Sequence, residues 1–309
     1  MTNGASGDDR LSRNERRESA RQKARALREE QKKKERRNRV FLQGGLVVLL
    51  LAIITVVGLI VINGVRPPSP GPLNMLSDGV KIGQGFKATP TAALEPDAKP
   101  VPSATNPPDV IDIQIYIDYQ CPICGTFEAT NSDQIKTWLK TGAATEEIHP
   151  IAILDNQSLG AKYSTRAANA AACVANYSPN DFFDYNAALF SHQPEENTTG
   201  LTDAQLIKLA KQVKPKKVDS ISSCITGQKF KTWVTAATNR ATTGPIAKTN
   251  VSKIQGTPTV IINGVKYQGA IGDKKAFAAA VVKAAGDTFT KDPTVTSSPS
   301  PSPSPTATP

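Results

Sequence analysis

Histidine is almost missing from this sequence, which has only His149 and His192 in 309 residues. Neither stands at ligand spacing from a second histidine or a C-x-x-C pair, so a zinc ribbon or finger is excluded. Neither has a nucleophile elbow to work with, which removes a hydrolase triad. No glycine-rich phosphate loop is present, and a short Ser-Pro iteration near the C-terminus is the nearest thing to a repeat. Cysteine is scarce too, with four residues: Cys121, Cys124, Cys173 and Cys224.

What the chain does have is basic charge, and it is unevenly spread. The net charge is +10, yet residues 1–40 hold 14 Lys and Arg against 7 Asp and Glu, so +7 sits there and +3 elsewhere. The run "RQKARALREEQKKKERRNRV" has no aromatic side chain to stack on a base, so nucleic acid is not expected as a partner. It directly precedes "LVVLLLAIITVVGLIVI", an uninterrupted apolar stretch. With the flanking apolar residues, 41–63 reach the ~20 residues that cross a bilayer. A cleaved signal peptide does not fit, because the basic region is too long and no A-x-A-like site follows. No cysteine follows to accept a lipid. The expectation is a single-pass anchor in the cell membrane. The positive-inside bias puts residues 1–40 in the cytoplasm and everything after the helix outside. Disulfides persist in that compartment.

Beyond the anchor, residues 64–108 read as a Pro-rich linker with an edge strand near 79–86, and 289–309 as a disordered Ser/Thr/Pro tail. The folded domain is expected over 109–288. Its first strand is "VIDIQIYI" (110–117), followed by a helix from the C-P-I-C turn to Thr141-Gly142. "EEIHPIAILD" reads as a second strand. A helical block over about 157–246 includes "DAQLIKLAKQ" behind a Thr202 N-cap. "TPTVIINGVKYQG" reads as two strands joined by Asn263-Gly264. A last helix is expected to stop at Gly286. The fold class is α/β with a helical insertion.

The two thiols of "DYQCPICGTFE" end a strand and open a helix. Free N–H groups and the positive end of the helix dipole stabilise a thiolate there. Cys121 is then the nucleophile, and Cys124, one turn along, the resolving thiol. Pro122 suits the first turn, where its missing N–H leaves nothing unsatisfied. A purely structural bond between these two would close too small a loop to stabilise much. Unpaired Cys173 and Cys224 would be liabilities outside the membrane, so they are expected as a structural disulfide. Asp118 is read two ways, as a tuner of the thiol or as a cap for the turn before it. Tyr119 and Phe127 are read as packing.

The motif resembles the DsbA-like branch of the thioredoxin superfamily, in its membrane-anchored actinobacterial form. An acidic and an aromatic residue precede C-P-x-C there and Phe-Glu follows, and "GTPTVIING" resembles the family's cis-proline loop. The resemblance covers about residues 75–288 and implies a thioredoxin-like fold with an inserted helical domain. It implies Cys121, Cys124, Thr257 and Pro258 as site residues and needs no cofactor. It implies a protein disulfide oxidoreductase that forms disulfides in secreted or cell-envelope proteins, reoxidised by a membrane oxidase. Ile123 replaces the histidine of the strongly oxidising type, and Thr257 the usual valine. These departures bear on the direction of electron flow and leave open a reductase or isomerase with the same site. A non-catalytic binding module on the same fold is a third reading, against which the intact Cys121, Cys124 and Pro258 argue.

Overall fold

A computed structural model describes residues 13–64 and 69–291. The chain separates into two compact units, Met1–Pro67 and Pro68–Pro309. In the first, α1 (Arg13–Gly64) runs unbroken through the basic run and the apolar stretch. Its basic half is rich in Ala, Arg, Lys, Gln and Glu, all strong helix formers. Its apolar half exposes Phe41, Leu46, Leu50 and Ile54. It is the one helix among the described residues long and apolar enough to cross a membrane.

The second unit is built on a five-stranded sheet of order β1-β3-β2-β4-β5. The strands are β1 (Val80–Ile82), β2 (Ile111–Ile117), β3 (Ala144–Pro150), β4 (Thr259–Ile262) and β5 (Val265–Lys266). β2 pairs parallel with β3, Ile115 opposite Ile148, and antiparallel with β4, Ile115 opposite Val260. Alternation along β2 divides its side chains between two faces. Ile111, Ile113, Ile115 and Ile117 join the main core, where Phe127 of α2 (Pro122–Thr141) meets Phe277 of α8 (Lys274–Lys291) edge-on at 5.3 Å. Tyr116 joins a smaller cluster with Ile151, Ala241, Ile246 and Ile261. At the β4–β5 turn both Asn263 (φ 46°) and Gly264 (φ 81°) have positive φ, as a two-residue hairpin requires.

Between β3 and β4 lie five helices: α3 (Tyr163–Tyr177), α4 (Phe182–Ser191), α5 (Asp203–Gln212), α6 (Val218–Thr226) and α7 (Lys231–Thr243). α3 is their hub. Its six fully buried alanines let α4, α5, α6 and α7 approach closely, as larger side chains would not. Cys173 of α3 and Cys224 of α6 are disulfide-bonded, with Cα atoms 5.9 Å apart. Thr202 caps α5 in a full capping box with Gln205.

Three expectations need correction. The strand expected over 146–155 ends at Pro150, because the N–H groups of Ile153 and Leu154 turn away to the Asp118 carboxylate. The last helix passes through Gly286 to Lys291; an isolated glycine costs only about 1 kcal/mol in a helix, too little to end this one. The largest change concerns 69–108, expected as a linker with an edge strand near 79–86: the edge strand is there as β1, and the rest straps onto the folded unit. Gly71 donates to the Leu94 carbonyl (2.7 Å) and abuts the Trp233 ring, where a Cβ would come within 2.8 Å. Asp78 accepts two bonds from Arg240 (both 2.7 Å) and one from Trp233 Nε1 (3.1 Å). Ser103 donates to Glu147, and the Lys81 ammonium to the Ala104 carbonyl. Pro-rich extended chain forms no local hydrogen-bond ladder. Its polar groups are therefore free to bond distant parts of the strap and the surface beneath it, and no apolar period announces that.

Candidate active site

β2 delivers the chain to a three-residue loop, Asp118-Tyr119-Gln120, and Cys121 then serves as N-cap of α2 with Pro122 in the first turn. Asp118 is fully buried and organises this loop. One carboxylate oxygen accepts from Gln120 N–H, the other from Ile153 and Leu154 N–H, each at 2.9 Å. Burial pushes its pKa up to about 6 against those bonds. Of the two readings of Asp118, the turn-fixing one has the geometry on its side. Tyr119 is buried with its hydroxyl donating to Asn186 (3.1 Å), and Phe127 lies in the core, so neither faces a substrate.

Cys121 and Cys124 are both free thiols and both buried, at 5% and 1% exposure. Their electrostatics diverge. The Cys121 thiol is lowered from 9.0 to about 6, chiefly by a hydrogen bond with the Cys124 side chain and, against desolvation, by Thr257 and the N–H groups of Cys124 and Ile123. Burial pushes the Cys124 thiol up, and the hydrogen bond with Cys121 adds to that. The Cys121 sulfur lies 3.1 Å from the Thr257 carbonyl, and the Thr257-Pro258 peptide is cis. Cys121, Cys124, Thr257 and Pro258 thus converge from segments more than 130 residues apart. Cys173–Cys224 stands apart from them, inside the helical insertion.

Ile123 is 52% exposed beside Cys121. Behind the cysteines, Glu128 is raised to about 7 by burial, and Glu146 is also raised, by burial and by the charge of Glu128. A cavity of about 1010 Å³ opens under the strap, against Tyr116, Glu147 and His149; neither free cysteine lines it. Among the described residues, no three Asp, Glu, His or Cys side chains gather as metal ligands.

One residue of the site gave no direct signal in the sequence. Gln193, just past α4, reaches into the loop before α2 and its side-chain amide donates to the carbonyls of Tyr119 (3.1 Å) and Cys121 (2.8 Å). Its trace in the sequence is Gly125: a glycine in a first helical turn points to something close by. Here a Cβ would sit 2.2 Å from the Gln193 carbonyl oxygen.

Residues 106–281 match the family model described as Thioredoxin. Serine/threonine-protein kinase PknE of Mycobacterium tuberculosis is 32% identical over 194 residues, which is 61% of this chain; the match spans 29% of the kinase's length. Among solved structures, oxidised DsbA of M. tuberculosis is 30% identical with a TM-score of 0.50, covering 68% of this chain and 93% of that one. Reduced DsbG, a disulfide bond oxidoreductase of the same organism, is 28% identical with a TM-score of 0.50, covering 72% and 95%.

Proposed function

Since the chain belongs to the thioredoxin family, in its DsbA-like branch, we propose that it is a membrane-tethered thiol–disulfide oxidoreductase working through Cys121 and Cys124. The observation that carries this is the placement of Cys121 at the start of α2, with Cys124 one turn on and the cis Thr257-Pro258 loop against the Cys121 sulfur. The thiols are pushed in opposite directions there, Cys121 down and Cys124 up. In the disulfide form, a substrate thiolate attacks the Cys121 sulfur and Cys124 leaves, taking up a proton as its raised pKa dictates. A second substrate thiolate then attacks the substrate sulfur of the mixed disulfide. Cys121 departs as a thiolate that is stable at neutral pH, and the substrate keeps the new disulfide. Two electrons pass to the protein, and the low thiol pKa favours that direction.

α1 is the proposed anchor, with the basic segment cytoplasmic and the second unit outside. Substrates are then secreted or cell-envelope proteins with cysteines, and a membrane oxidase restores the disulfide. The matched kinase is a much longer protein, and phosphoryl transfer is not proposed, for want of a phosphate loop in this sequence.

The full chain, oxidised and held in detergent, tests this against a reduced dithiol peptide. Peptide oxidation is expected to be stoichiometric. Cys121→Ser is expected to abolish it, and Cys124→Ser, charged at Cys121 with one substrate thiol, to hold that mixed disulfide. A Cys121→Ser variant as fast as the parent would end the proposal.

A further inference from the structure

The Cys121 carbonyl accepts three hydrogen bonds: from Cys124 N–H (3.0 Å), Gly125 N–H (3.2 Å) and the Gln193 amide (2.8 Å). The last is the shortest, and it comes from outside α2. The same amide nitrogen also serves the Tyr119 carbonyl, on the other side of Gln120. Two acceptors within reach of one nitrogen fix which end of the Gln193 side chain donates. Gln193 is itself fastened by its N–H to the Phe190 carbonyl at the end of α4 (3.1 Å). One side chain of the helical insertion therefore clamps the two backbone carbonyls that bracket the entry to the nucleophile.

We propose that Gln193 is a positioning residue for the thiol chemistry, holding the first turn of α2 closed when the cysteines are reduced. The inference rests on the functional reading above and goes beyond it by assigning a role to the insertion. In the disulfide form a covalent bond already joins positions 121 and 124, so the turn is closed without help. In the dithiol form that bond is gone, and the Cys124 thiol and the N–H groups of Cys124 and Ile123, all of which favour the Cys121 thiolate, keep their places only if the turn keeps its shape. The Gln193 clamp does most where the covalent one is missing. Its removal therefore destabilises the dithiol form more than the disulfide form, and makes the protein a weaker oxidant. Gly125 belongs to the same device. Any Cβ there displaces the Gln193 amide, and Gly125 has no positive φ that would otherwise demand glycine.

The contrasting role is plain structural support, in which Gln193 ties the insertion down equally in both redox forms. The two are separated with the full chain in detergent, by its equilibrium with reduced and oxidised glutathione and by the pH profile of Cys121 alkylation. Gln193→Met keeps the length of the side chain and loses both bonds. Losing hydrogen bonds of ordinary net strength should shift the glutathione equilibrium about threefold to tenfold toward the disulfide form. The alkylation midpoint should move to higher pH. Gln193→Glu, which sets a charged acceptor against the same carbonyls, should move both further. Gly125→Ala should shift both in the direction of Gln193→Met, and the double variant should go little further than either, since one contact can be lost only once.

A lower melting temperature with both readouts unchanged would overturn the proposal. If Gln193→Met does not fold, Gly125→Ala alone decides, and an unshifted equilibrium in that variant is equally fatal. A parent protein that neither exchanges with glutathione nor alkylates below neutral pH would instead remove the functional reading on which this one stands.

Discussion

Cys121 and Cys124 share one turn of helix, yet one thiol is lowered to about 6 and the other raised. The division follows from position: Cys121 accepts from the Cys124 thiol and meets the N–H groups of the helix start, while Cys124 meets the core and donates that bond. That much was legible from a strand running into C-P-I-C. The dipeptide makes a further expectation readable, because the exposed side chain of Ile123 has no group to hydrogen-bond the thiolate. Thioredoxin lies at about −270 mV and DsbA at about −120 mV, and about 30 mV corresponds to 1.4 kcal/mol. One missing charge-assisted bond of about 1–2 kcal/mol would lower the potential by a few tens of millivolts, so this protein is expected between those limits. Ile123→His is expected to raise it, measured against a glutathione series; a variant no more oxidising than the parent discards the dipeptide as the cause. Gln193 was not readable in the same way, and Thr257 only through the resemblance of its loop. Their partner is 72 and 136 residues away, and hydrogen bonds to a backbone carbonyl impose no residue type on the carbonyl's side.

Most elements with local rules were found where the sequence placed them, the helix stop expected at Gly286 excepted. The Asn263-Gly264 turn, the Thr202 capping box and the Gly142 cap of α2, at φ 81°, each depend on a few neighbouring residues. Element ends that depend on distant partners were missed. β3 stops where Asp118 captures the next N–H groups, and no residue in β3 says so. The bridge between α3 and α6 belongs to the legible class, since compartment and cysteine count sufficed to pair Cys173 with Cys224. It spans 51 residues, and a loop of that length corresponds to about 4 kcal/mol of chain entropy in the unfolded state. Replacing both cysteines by alanine should lower stability by about 2–5 kcal/mol in urea titrations. Oxidation of a dithiol peptide should survive at low temperature, because neither sulfur lies in the active site. Complete loss of exchange in a variant that still melts cooperatively would show that the bridge does more than hold helices together.

At the scale of the whole molecule, protonation ties redox state to stability. In the folded dithiol form Cys121 ionises near pH 6, whereas its ordinary value is 9.0. Between those limits the folded protein holds fewer protons than the unfolded chain, so stability rises with pH. Asp118 and Glu128, raised to about 6 and about 7, act the other way. Their stabilisation is full below pH 4 and is lost as pH climbs through those values. Both redox forms carry these carboxyls, so they cancel in a comparison. Urea midpoints followed by the fluorescence of Trp138 and Trp233 should show the dithiol form gaining on the disulfide form from pH 6 to 9. Below pH 6 the gap should stay at its minimum, and a gap that is flat across the range contradicts the thiolate account. The proposed orientation is checked on intact cells, where added protease should remove the second unit and spare the basic segment. The strap has a consequence of another kind, in the order of synthesis. It is made before the rest of its unit, but Asp78 bonds Arg240, 162 residues further on, and β1 pairs with β3, nearly 70 residues downstream. A chain emerging N-terminus first must hold Met75, Val80 and Ile82 uncovered while it waits for these partners. The first residues of this unit to leave the ribosome are therefore among the last to be locked in place.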